Sequence, residues 1–215
     1  MCRLTYYLAG YSLDGFYYRL SFQQSLMSLK KEIFNCKVCE QAMGHPVKPV
    51  CAFTSSSKIV IIGQAPGVRV HESGIPWHDK SGDNLRSWMG IDDGTFYDEQ
   101  QVAIVPMGFC YPGKGKSGDL PPRKECAPLW HDLILDKLKN VKLTLLIGKY
   151  AQDYYLQDNT KKNLTETVRS FQDYLPQYMV MPHPSPRNNI WMKKNDWFKR
   201  DLLPILKDEV QAALR

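Results

Sequence analysis

The stretch Lys58-Ile59-Val60-Ile61-Ile62-Gly63-Gln64-Ala65-Pro66-Gly67 decides how this chain is read. Its first half is a run of branched apolar residues without polar alternation, the pattern of a strand buried on both faces. Its second half ends the strand with two glycines and a proline. That makes a tight turn whose backbone can approach a planar ligand closely. The turn is not a dinucleotide fingerprint, because the third glycine and the immediate helix are missing.

Working outward, three more short apolar runs stand at residues 102–105, 143–147 and 178–181. Helical spacing separates them. Phe22, Leu26, Leu29 and Ile33 share a face over residues 21–35, and a capped helix opens at residues 81–89. Residues 124–138 carry Leu129, Leu133 and Leu138 on one side, and helices start at Gly148 and Asn163. The tail 191–214 is helical, with a break expected before Pro204. Strands alternating with helices predict an α/β fold: a three-layer αβα sandwich around a four-stranded, mostly parallel central sheet. Ligands of such sheets sit at the carboxyl ends of the strands, so chemistry is expected in the segments that follow each strand.

The 215 residues suit one domain, assigned to residues 26–215 behind an N-terminal extension of residues 1–25. Asp14, Arg19 and five tyrosines interrupt any signal-peptide core in that extension. With 43% hydrophobic and 23% charged residues, a disordered or fibrous chain is excluded. No run of about 18 apolar residues offers a membrane-spanning helix. A cytoplasmic monomer is expected. The 28 basic residues against 22 acidic ones leave a net charge of +6, compatible with a polyanionic partner. Six cysteines without a secretory leader read as thiols, metal ligands or cluster ligands rather than disulfides.

A second motif, His183-Pro184-Ser185-Pro186-Arg187-Asn188, follows the fourth run. Its two prolines stiffen the loop, so His183, Ser185 and Arg187 project from a fixed backbone. Together with Gly63-Gln64-Ala65-Pro66-Gly67, Ser73-Gly74-Ile75-Pro76-Trp77 and Asp79-Lys80-Ser81-Gly82-Asp83-Asn84-Leu85, this loop resembles the uracil-DNA glycosylase superfamily, most of all its iron–sulfur branch. The resemblance covers roughly residues 30–205.

The resemblance implies a hydrolase that flips a uracil or another deaminated base out of DNA and breaks its glycosidic bond. It implies that Trp77 stacks on the base, that Gln64 and Ala65 contact its carbonyl edge, and that His183 hydrogen-bonds the oxyanion developing on it. Ser185 would pinch a phosphate. Arg187 stands where an apolar wedge is common. The loop at residues 111–119 is basic and glycine-rich, and its Lys114 and Lys116 could cradle DNA phosphate, giving salt-sensitive affinity.

Cys36, Cys39, Cys110 and Cys126 form a C-x2-C, C-x15-C pattern with 70 residues between the halves. It resembles the ligand set of a 4Fe–4S cluster; tetrahedral zinc and free thiols are the alternatives. Cys2 and Cys51 fall outside the pattern.

The chain also departs from the family. The first loop has Gln64 and Ala65 where a water-activating carboxylate is usual, so Asp79 and then His71 are the candidates for that role, with Asp79 or Ser81 equally suited to capping a helix. Pro106-Met107-Gly108-Phe109 lacks the amide that usually reads the base edge, leaving Asn188 or Gln64. Two other readings therefore stand beside a uracil glycosylase: a nucleic-acid-binding protein without catalysis, and a glycosylase for another base such as hypoxanthine.

Overall fold

The computed structural model describes residues 25–215. The N-terminal extension up to residue 24, Cys2 and the first turn expected from residue 21 lie outside the described residues.

Four strands form one sheet: β1 (Ile59–Ile62), β2 (Val102–Ile104), β3 (Leu143–Ile147) and β4 (Met179–Met181). Their order is β2-β1-β3-β4, and every pairing is parallel. Ile59 sits level with Val102 on one side and Leu143 on the other. Every residue of β1 is wholly buried, which is why its sequence shows no polar alternation. The chain leaves β1 towards β2, then crosses back to β3 on the opposite side. This reversal opens a crevice past the carboxyl ends of β1 and β3.

Helices surround the sheet as three layers. α1 (Leu26–Phe34), with Leu29 and Ile33 buried, packs on α6 (Cys126–Leu135). α4 (Lys80–Met89) packs on α10 (Leu203–Leu214), which in turn covers β1 and β3. Short helices fill the connections: α2 (Glu40–Met43), α3 (Val68–Ser73), α5 (Asp93–Tyr97), α7 (Lys149–Leu156), α8 (Leu164–Arg169) and α9 (Asn189–Lys194). Among these, α8 starts where Asn163 predicts, because the Asn163 side chain accepts the Glu166 N–H at 3.0 Å.

Two features depart from the sequence reading. The tail breaks at Asn195, not before Pro204. A π turn, Phe198–Leu202, runs straight into α10, and Pro204, the second residue of α10, is accommodated where the hydrogen-bond pattern changes. Secondly, residues 50–52 run antiparallel along β2. Ala52 and Ile104 exchange two backbone bonds of 3.0 and 2.6 Å, and Val50 donates to Phe109 O at 2.7 Å. This segment covers the sheet edge and carries the Cys36–Cys39 region onto the domain.

Candidate active site

A cavity of about 640 Å³ opens at the expected end of the sheet, lined by residues following all four strands. Gln64 and Ala65 come from the turn after β1. Tyr150 comes from the start of α7, and His183 from the loop after β4.

Trp77 is held in an unusual backbone conformation, with φ at +55°. Such a geometry in a bulky residue needs surrounding structure to fix it. Its carbonyl accepts from Arg86 Nη1 at 3.4 Å and from the Tyr97 hydroxyl at 3.5 Å. Arg86 is itself clamped by Asp83 and Asp93, each at 2.7 Å, and stacks over Phe96 and Tyr97. The Trp77 ring lies over Gly63: a Cβ added there would meet Trp77 Cζ2 at 2.8 Å. Its neighbour on the wall is the His183 ring, 5.5 Å away and tilted by 34°.

His183 Nδ1 accepts the Ser185 backbone N–H at 3.2 Å. In the neutral ring the proton therefore sits on Nε2, which is left to donate. Burial holds the His183 pKa below the ordinary histidine value, against the pull of the Asp79 carboxylate, so the neutral donor form is favoured. The loop is stiff for reasons beyond its prolines. Asn84 Nδ2 donates to Pro184 O at 2.8 Å, and Asn188 Nδ2 donates to His183 O at 2.7 Å. Ser185 Oγ accepts from the Arg187 N–H at 3.3 Å. Ser185 and Asn188 thus line the cavity while bracing the loop. Gly148, at φ +80°, lets the chain pass against His183 and donates to Met181 O at 2.9 Å.

Asp79 lines the cavity and caps α4, accepting the Gly82 N–H at 2.9 Å. Lys114 and Arg187 stand on its rim. His71 does not line the cavity: its ring groups with those of His45 at 5.4 Å and Tyr111 at 5.8 Å. Lys116 is exposed outside it too. The sequence reading did not single out Asp119 or Tyr150, both of which line the cavity.

The model of the uracil DNA glycosylase superfamily matches residues 52–207. The chain belongs to this superfamily. The match spans the cavity-lining loops and ends within α10, leaving α1 and the Cys36–Cys39 region ahead of it.

In this superfamily member, Cys36, Cys39, Cys110 and Cys126 converge on a second cavity of about 30 Å³, closed by Phe109 and Trp130. Burial raises the Cys110 and Cys126 thiols to about 11 and about 12. The Phe109 N–H donates to Cys126 Sγ at 3.3 Å. Among the described residues, no group of three or more His, Cys, Asp or Glu is arranged to hold a metal ion. Four thiols around one apolar cavity nevertheless fit, by donor chemistry, a cluster bound through cysteine sulfur. Cys51 is separate, buried in the core.

Proposed function

We propose that the chain is a DNA glycosylase that hydrolyses the glycosidic bond of uracil or another deaminated base after flipping it from the helix. One observation carries this reading most: His183, whose Nδ1 accepts the Ser185 N–H and so leaves Nε2 to donate, stands beside Trp77 in the crevice of the sheet. Trp77 offers a face for the flipped base. His183 donates to the base oxygen on which charge develops as the bond breaks, which in comparable oxyanion sites is worth about 3–4 kcal/mol. Gln64 and Ala65 contact the base edge, and Lys114, Ser185 and Arg187 meet the flanking phosphates. The test is abasic-site formation on oligonucleotides carrying uracil or hypoxanthine, single- and double-stranded.

One observation favours a binding protein without catalysis: the turn Gly63–Gly67 carries no carboxylate. The same assay separates the two, since binding without abasic product supports that reading.

The four clustered thiols support a 4Fe–4S cluster, bound by Cys36, Cys39, Cys110 and Cys126. A single tetrahedral zinc on the same four sulfurs is the alternative. When bound, the cluster ties the Cys36–Cys39 region to α6 and the loop after β2. Anaerobically purified protein is expected to absorb near about 400 nm and to contain iron and sulfide. Colourless, zinc-containing protein would contradict it.

A further inference from the structure

We infer that Asp119 supplies the carboxylate that activates the attacking water. This rests on the glycosylase reading above. The two carboxylates that line the cavity are those of Asp79 and Asp119. Asp79 spends one oxygen on the N-terminus of α4. Asp119 is differently placed. Its Oδ2 lies 3.6 Å from where a Gly67 Cβ would stand, so it faces the very turn that lacks an acidic side chain. The Tyr111 hydroxyl donates to the other oxygen, Oδ1, at 3.5 Å, which leaves Oδ2 directed at the turn.

The loop that carries Asp119 is built rather than loose. The backbones of Lys114 and Asp119 form an antiparallel bridge, Gly115 N donates to Gly118 O at 2.7 Å, and Leu120 N donates to Gly113 O at 2.9 Å. The Arg187 guanidinium packs against it, 3.3 Å from a Cβ built on Gly118. The loop after β2 and the loop after β4 therefore meet at the cavity rim. Asp119 is solvent-exposed there, and docked DNA would cover it.

The step balances. Asp119 Oδ2 takes a proton from water as the water oxygen bonds to C1′ of the deoxyribose. The bond from C1′ to the base breaks, and its electron pair leaves with the base, stabilised by His183 Nε2–H. The sugar keeps a hydroxyl at C1′, and the proton on Asp119 returns to solvent.

The experiment is single-turnover abasic-site formation by the full chain and by Asp119→Asn, Asp119→Glu and Asp79→Asn, with fluorescence anisotropy on the same oligonucleotides. Asp119→Asn is expected to slow the reaction about 100-fold or more, in line with the loss of a general base. It is expected to bind DNA at least as tightly, because a negative charge leaves a surface that meets phosphate. Asp119→Glu recovers part of the rate, and the acid limb of the pH–rate profile disappears in Asp119→Asn. A rate within about threefold of the parent, a loss explained wholly by weaker binding, or an effect confined to Asp79→Asn overturns the inference. No product from the parent chain on any lesion overturns the glycosylase reading and this inference together.

Discussion

At the scale of single residues, the site depends on how closely backbone and ring approach one another. Gly63 has no side chain because the Trp77 ring occupies that space. Gly63→Ala would push a methyl against the ring and displace it. A shift of about 1 Å in a positioning group can cost about 100-fold in rate. We therefore expect Gly63→Ala to lose about that much single-turnover activity while its melting temperature changes little; an unchanged rate would show that the Trp77 position is immaterial. His183 illustrates what sequence can and cannot tell. The resemblance marked the residue, but the donor nitrogen followed only from the Ser185 N–H on Nδ1. Asp119 was illegible for a related reason. It reads as one acidic residue in a basic loop, and only the fold brings it to the turn at Gly67, more than fifty residues away.

At the scale of elements, the entry to α4 is the tightest joint in the site. A Cβ on Gly82 would stand 1.7 Å from Trp77 O, deep inside contact distance. In an ordinary helix interior, Gly→Ala stabilises by about 1 kcal/mol. Here the clash reverses that sign, and Gly82→Ala is expected to destabilise by about 2–3 kcal/mol or more, read as the denaturant midpoint. A stabilised variant would mean that the turn at Trp77 yields freely. The strands were legible to within a residue, because consecutive branched apolar residues have few alternatives to a buried parallel strand. The antiparallel segment at residues 50–52 was not, because its pairing with Ile104 depends on a partner far along the chain. The tail break was misplaced because proline propensity was read without its position in the turn. Pro204 falls where the hydrogen-bond pattern changes.

At the scale of the molecule, a histidine buried in its neutral form beside the sheet sets a pH dependence of stability. His131 is 1% exposed on α6, its Nε2–H donating to Pro106 O at 3.1 Å and its Nδ1 accepting from the Tyr155 hydroxyl at 2.6 Å. Burial lowers its pKa to about 4. The unfolded chain, with histidine near about 6.5, then binds more protons than the folded one between those values. Stability is full above pH about 6.5 and falls as pH drops towards 4, by roughly 3 kcal/mol from this group. His71 and His183 act in the same direction. Denaturant midpoints between pH 7 and 4 check this, and a flat profile would contradict it. Of the basic residues behind the net charge of +6, Lys114 and Arg187 stand at the rim of the crevice, where a polyanion would meet them. Whether this crevice breaks a glycosidic bond is decided by abasic-site formation on uracil- and hypoxanthine-containing oligonucleotides, compared between the parent chain and His183→Ala. Product is expected from the parent, with a loss of about 100-fold or more in the variant. Product formed equally by both, or DNA bound tightly by the parent with no product at all, would contradict that expectation.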